Sequence, residues 1–143
     1  MSLTVEIVTP DRRAYQGSAD SVTLPTELGS IGILPGHLPI TAIIAAGEVL
    51  LQFEGKTVRL AVDRGFVRVA ADKVSVVTEA AIDEAKIDLK SIEQAEERAR
   101  QAVEAARGQK EIDPAEIAKM EQILRFAAVQ RLVKGRTSPG LTD

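Results

Sequence analysis

A chain of 143 residues is long enough for one medium domain, or a small domain with an appendage, and can bury a core without covalent staples. It has no cysteine, which excludes disulfides, thiolate chemistry and a Cys-based zinc site, and its one histidine leaves too few nitrogen ligands for a His-rich metal site. A net charge of −3 and an aromatic content of 3% provide neither the basic footprint nor the stacking platforms of a nucleic-acid surface.

Up to about residue 80 apolar residues alternate and β-branched residues are frequent. Leu3, Val5 and Ile7 fall on one face and Thr4, Glu6 and Val8 on the other, the pattern of a half-buried strand. Val22 and Leu24 continue the alternation before Pro25. Residues 28–39, Leu-Gly-Ser-Ile-Gly-Ile-Leu-Pro-Gly-His-Leu-Pro, crowd three glycines, two prolines and the single histidine between apolar runs, which predicts a loop of specified shape. The mostly apolar run 40–46 predicts a strand covered on both faces. Runs at 49–53 and 57–62 flank Glu54-Gly55-Lys56, a hairpin turn, and Phe66, Val67 and Val69 lead through an Ala71-Asp72 turn to Val74, Val76 and Val77. Many short strands separated by turn signals predict a β-sandwich or closed barrel over residues 1–84.

After about residue 88 the composition turns to Ala, Glu, Arg, Lys and Gln. Leu89, Ile92, Ala99, Val103 and Ala106 form one narrow apolar seam, interrupted by Glu96. Asp88 is a suitable N-cap, with Asp83 as a competing start, and Gly108 is placed to cap the C-terminus before the Gln109-Lys110 break. Asp113-Pro114-Ala115-Glu116 opens a second helix in a capping-box-like arrangement. Its seam is Ile117, Met120, Leu124, Ala127 and Ala128, extended by Leu132, and Gly135 ends it. A short polar link between amphipathic helices predicts an antiparallel hairpin over residues 85–135, followed by a flexible tail at 136–143. The alanine-rich seams bury little area, so this hairpin is expected to be weakly held.

The charges from Asp83 to Arg136 balance, eleven acidic against eleven basic, but their order does not. Between Glu121 and Asp143 stand only cations: Arg125, Arg131, Lys134 and Arg136. They read either as a solvated face that favours the helix dipole or as a docking surface for an acidic partner. His37 has no serine or cysteine nucleophile or carboxylate near it in sequence, and reads as a loop contact rather than a general base. No Gly-x-x-x-x-Gly-Lys-[Ser/Thr] phosphate loop occurs.

The pattern Gly-x-Ile-Gly-x-x-Pro-Gly-His-x-Pro strongly resembles the epsilon subunit of F-type ATP synthases, called delta in mitochondria. The likeness extends over nearly the whole chain through the order of parts and through Gly65-Phe66-Val67-Arg68-Val69, where Arg64 replaces a family glycine. It implies a β plus α fold: a sandwich, or flattened barrel, followed by a two-helix hairpin. It also implies a non-catalytic rotor subunit that links the central stalk to the proton-driven ring, with a hairpin that inhibits ATP hydrolysis when extended. The implied partners are the central-stalk gamma subunit, the rotor-ring c subunits and the catalytic-head alpha and beta subunits.

Position by position, the resemblance assigns Gly29, Ser30, Ile31 and Gly32 to the rotor ring, although many members carry an acid where Ser30 stands. It assigns His37, Leu38 and Thr41 to the central stalk, and offers Arg98, Arg100, Arg125, Arg131 and Lys134 for the catalytic head. A family nucleotide pattern, Ile/Leu-Asp-x-x-Arg-Ala, keeps Ile87 and Asp88 but has Ser91 and Ile92 in its last two places. Serine offers one neutral hydroxyl where arginine offers a charged fork, so weak or absent ATP binding is expected, and no other cofactor.

No apolar run approaches the ~20 residues of a membrane span, and the opening Met-Ser-Leu-Thr-Val-Glu has neither the basic region nor the apolar core of a secretory leader. These features predict a soluble chain whose membrane association comes through a partner, and the resemblance implies a peripheral place on the cytoplasmic face of an energy-transducing membrane, without direct insertion. Two rivals remain at this stage. A small enzyme with the hairpin as lid would need a nucleophile–base constellation, which the sequence lacks. A plain adaptor with a coiled-coil tail would not need the loop at 28–39.

Overall fold

The computed structural model describes residues 2–108 and 113–136. The expected break at Gln109-Lys110 and the tail from 137 onward lie outside the described residues. Ten strands come first: β1 (Leu3–Val8), β2 (Arg13–Ala19), β3 (Ser21–Thr26), β4 (Gly29–Ile33), β5 (Ile40–Ile44), β6 (Gly47–Phe53), β7 (Lys56–Val62), β8 (Gly65–Ala70), β9 (Lys73–Thr78) and β10 (Ala81–Asp83). A 3-10 turn at Glu84–Lys86 leads to α1 (Leu89–Arg107) and α2 (Pro114–Arg136).

The strands pair in the order β10-β7-β6-β3-β5-β8-β9-β1-β2, with β4 on β3 beside that path. Among the described residues, only β1 and β9 pair in parallel. β3 serves both layers: residues 21–23 pair with β6, while Thr26 pairs with Ile44 of β5. The two ends of the order meet where Arg12 Nη2 donates to the Ala81 carbonyl at 3.1 Å, so the sheet curls into a flattened barrel. Strand alternation sends Leu3, Val5, Ile7, Val22, Leu24, Leu60, Val67 and Val74 into one buried core.

Two tight turns hold the hairpins. Glu54 and Gly55 between β6 and β7, and Ala71 and Asp72 between β8 and β9, all have positive φ, as a two-residue turn matched to strand twist requires. Gly65 opens β8 where a side chain has no room: a Cβ would fall on the Val77 carbonyl oxygen. Asp88 caps α1, its carboxylate accepting from Lys90 N–H at 3.0 Å, and Asp83 caps the 3-10 turn through Ala85 N–H at 3.0 Å. Both expected starts are therefore used. Asp113 caps α2 through Ala115 N–H at 2.9 Å. Gly108 is the C-cap of α1, in a right-handed conformation (φ −84°).

Several expectations are corrected. The stretch 28–39 is not all loop: Gly29–Ile33 is strand β4, paired antiparallel with β3, because Thr26 and Gly29 close a turn that pattern reading cannot see. β5 is not covered on both faces, since Ile43 stands 57% exposed. Leu89, Ala128 and Leu132 are exposed, and α2 runs one residue past Gly135. The reason is that α2 packs along two lines rather than one seam, one buried on the sandwich and one partly exposed toward α1. Ala127, Val129 and Val133 are buried in a second cluster with Ala61, Ile87 and Ile92, against which Ala46, Ile82 and Phe126 pack. Met120 and Ile123 instead border the groove toward α1.

Candidate functional site

The hairpin lies against β6, β7 and the 3-10 turn, and this junction gathers the charges that the sequence left in an unbalanced order. Asp63 closes β7 with its carboxylate fully buried. It accepts from Arg125 Nε at 2.8 Å and Nη2 at 3.1 Å, and from its own neighbour's Arg64 N–H at 2.8 Å. Two parallel N–H donors on one carboxylate fix direction as well as charge. The Asp63 bond pushes the Arg125 pKa up, with Glu79, whose Oε2 lies 3.6 Å from Nη2, adding to the effect. Arg131 binds Glu96, its Nε at 3.0 Å from Oε1, which again raises the guanidinium pKa. Lys134 Nζ lies 3.5 Å from both the side chain and the backbone carbonyl of Glu84.

Three of the five cations offered for an acidic partner are thus engaged by acids of the same chain. Glu96, which interrupts the α1 seam, does so to meet Arg131 across the hairpin. Arg100 reaches Glu96 and Glu97 only at 3.9 Å, one turn along its own helix. Arg98 is exposed and borders a groove of about 410 Å³ between α1 and α2, lined also by Ala95, Ala99, Met120 and Ile123. Ile87 is a core residue of the junction, and Asp88 is occupied at the helix start by Lys90 N–H and by Ser91 Oγ at 2.8 Å. Those bonds, the Ser91 hydroxyl first, lower the Asp88 pKa.

The other candidate residues sit away from the hairpin. Gly29 (φ +114°) opens β4, and its carbonyl accepts from Thr26 Oγ1 at 2.6 Å. Ser30 and Gly32 are exposed, Ile31 leans on the core, and Leu28 at the turn is fully exposed. Gly36 turns the chain with φ +84°, and His37 N–H donates to the Leu34 carbonyl at 3.0 Å. His37 Nδ1 sits 2.6 Å from the Leu38 carbonyl oxygen, so one of the two ring nitrogens is held by its own loop. Leu38 is exposed. Thr41, on β5, faces solvent opposite Arg68 of β8.

Beside Thr41 runs a feature the sequence reading missed. Ile43, Phe66 and Val77 are cross-strand neighbours on β5, β8 and β9, and are 57%, 49% and 40% exposed. They form an apolar row on the outer face, which scattered single exposures would not explain. The only signal was that apolar residues at 43, 66 and 77 fall on the wrong side of their strands. Asp63 was likewise missed, because an acid at a strand end reads as solvated. Among the described residues no group of His, Asp and Glu could hold a metal ion, and no helix is long and apolar enough to cross a membrane.

Residues 2–84 match the family model for the ATP synthase delta/epsilon chain, beta-sandwich domain. The chain is similar to the ATP synthase epsilon chain of Halalkalibacterium halodurans, 40% identical over 136 residues, covering 94% of this chain and 98% of that protein. It is 34% identical to the epsilon chain of Maricaulis maris over 128 residues (88% and 96%), and 39% identical to that of Bacillus subtilis over 100 residues (70% and 76%). Its fold is similar to a chain in the cryo-EM structure of the Euglena gracilis mitochondrial ATP synthase OSCP/F1/c-ring assembly, with a TM-score of 0.67 at 23% identity, covering 92% of this chain and 80% of that one. A chain of the Tetrahymena thermophila mitochondrial ATP synthase central stalk/c-ring structure gives 0.54 at 14% identity, covering 94% and 97%.

Proposed function

The chain belongs to the delta/epsilon family of ATP synthase chains, and from that premise we propose that it joins the central-stalk gamma subunit to the ring of c subunits for proton-driven ATP synthesis, while its hairpin restrains ATP hydrolysis. As an epsilon chain it is a non-catalytic subunit of the complex. The observation that carries the reading is a hairpin docked on the sandwich by little: a small apolar cluster and a few ion pairs. A buried Val or Ile contributes roughly 1.5–3 kcal/mol and a hydrogen bond to a charged group roughly 1.5–3 kcal/mol. With so few contacts, the folded and extended states can lie within reach of a partner's binding energy, as a switch requires.

The parts then divide. The apolar row Ile43–Phe66–Val77, with Thr41, His37 and Leu38, offers a face for the central stalk. The exposed turn and strand at Leu28, Gly29, Ser30, Ile31 and Gly32 would rest on the rotor ring. Arg98, Arg100, Arg125, Arg131 and Lys134 would meet acidic groups of the alpha and beta subunits once the hairpin extends. The neighbouring solved assemblies, titled F1/c-ring and central stalk/c-ring, support partners of this kind. The subunit would sit peripherally on the cytoplasmic face of the membrane, held by those partners. The test is a pulldown with the cognate gamma subunit, followed by hydrolysis assays with and without residues 85–143. Stoichiometric binding by both forms and faster hydrolysis without the hairpin are expected. No binding removes the rotor reading, and unchanged hydrolysis removes the inhibitory one.

A further inference from the structure

We propose that Asp63 is the positioning residue that sets how the hairpin lies, by competing with the acidic partner for the same cation. The inference rests on the reading that the basic residues of α2 dock on the catalytic head. Arg125 cannot serve both: its Nε and Nη2 are taken by Asp63 at 2.8 and 3.1 Å. The Asp63 carboxylate is fully buried, whereas Arg125 is a quarter exposed, so the pair is an acid fixed in the sandwich and a cation brought by the helix.

The three ion pairs are not equivalent. Glu96–Arg131 joins the two helices to each other, so the hairpin can leave the sandwich without breaking it. Glu84–Lys134 ties α2 to the 3-10 turn that leads into the hairpin, at the longer distance of 3.5 Å. Only Asp63–Arg125 joins α2 to the barrel itself through two donors. If α2 leaves, Asp63 keeps the single bond from Arg64 N–H, and its carboxylate exchanges a two-donor counterion for water. That exchange is specific to the open state and sets a threshold that an acidic partner has to exceed. Glu79 adjoins the pair and strengthens the same preference.

The chain has no cysteine, so a spin-label pair can be placed at Lys56→Cys on the barrel and Ala118→Cys on α2, both exposed. Distances between the labels in the isolated full chain report the closed hairpin without any partner. Asp63→Asn keeps the shape and an acceptor for Arg64 N–H but removes the charge. Its ratio of open to closed hairpin should rise roughly tenfold or more, the scale of a lost charge partner. Arg125→Met makes the same break from the partly exposed side and serves if Asp63→Asn does not fold. Unchanged distances in the folded variants overturn the proposal. In the assembled complex, Asp63→Asn should inhibit hydrolysis more strongly than wild type, and Arg125→Met less strongly despite opening equally. Opening in both variants with no change in hydrolysis would leave the Asp63 role standing and overturn the docking reading beneath it.

Discussion

The Gly36 amide donates to the Asp72 carboxylate at 2.7 Å, which ties the loop after β4 to the turn between β8 and β9. The two residues are 36 positions apart, and each sits at positive φ in its own turn. The bond therefore fixes the height at which His37 and Leu38 leave the sheet. Asp72→Ala removes the acceptor and places alanine in a left-handed conformation, at a cost of about 1–2 kcal/mol. Asp72→Asn keeps both acceptor and conformation. Hydrogen exchange at the Gly36 amide should speed up in the first variant and stay near wild type in the second, and binding to the gamma subunit should follow the same order.

Gly65 leaves no such latitude. A Cβ there would meet the Val77 carbonyl and Thr78 Cα, which are backbone atoms of the paired strand and cannot swing aside. Gly65→Ala should cost about 3 kcal/mol or more, by chemical denaturation, because strands β8 and β9 have to separate locally. Gly32 meets nothing within 4 Å, so Gly32→Ala should be nearly silent in stability.

These two glycines mark how far the sequence is readable. Period-two alternation located β1, β6, β8 and β9, because each has one face mostly in the core and the other mostly outside it, whereas β7 showed as an apolar run because Leu60, Ala61 and Val62 are covered on both faces. β2 escaped it: Arg13-Ala-Tyr-Gln-Gly-Ser-Ala has few apolar residues to alternate, and its pairing with β1 is what makes it a strand. β4 escaped because glycine and serine carry no pattern. The caps at Asp88 and Asp113 were legible since capping is local chemistry. Asp63–Arg125 was not, since the two lie 62 positions apart and only the docked hairpin brings them together.

The helix cations give a salt-dependent prediction. Replacing Arg125, Arg131 and Lys134 together by alanine should weaken inhibition of hydrolysis, with a smaller difference from wild type at high ionic strength, where exposed charges are screened. The isolated variant should also lose resistance to proteolysis at the hairpin, because Arg125 and Lys134 hold it to Asp63 and Glu84 while Arg131 joins its two helices. Inhibition equal to wild type at low salt would leave these residues with their intramolecular ion pairs and no docking role.

The start of α1 should depend on acid. Ser91 and Lys90 lower the Asp88 pKa, so the ionised carboxylate stabilises the folded helix. That contribution is fully present above the ordinary aspartate value of about 3.9 and is lost as pH falls through the lower folded value. Asp88→Asn, which caps without titrating, should show a melting temperature that changes less than wild type between about pH 5 and pH 2. Parallel curves for the two proteins would mean that the cap charge contributes nothing.

ATP binding on the hairpin should be weak or absent, and the structure adds reasons to the motif departure. Ile87 is packed in the junction with Ala61 and Ile92, so it has little surface to offer a ligand. Asp88 already accepts from Lys90 N–H and Ser91 Oγ, and the serine in the arginine's place is spent on that cap. Ile92 is buried where the family pattern has a small residue, which closes space rather than opening it. Lys90 lies one position from Ser91, about 100° away around the helix, and is a poor substitute for the missing fork. Arg98 is exposed and shares the groove between the helices with Lys119, but Glu116 stands in the same lining and the rest of it is apolar. Arg125 is committed to Asp63. Isothermal titration of the isolated full chain with ATP should therefore give no saturable heat in the micromolar range. A dissociation constant at or below that range would show that Arg98 or Arg125 has taken over from the missing arginine. In that case Arg98→Ala and Arg125→Met, titrated separately, would identify which.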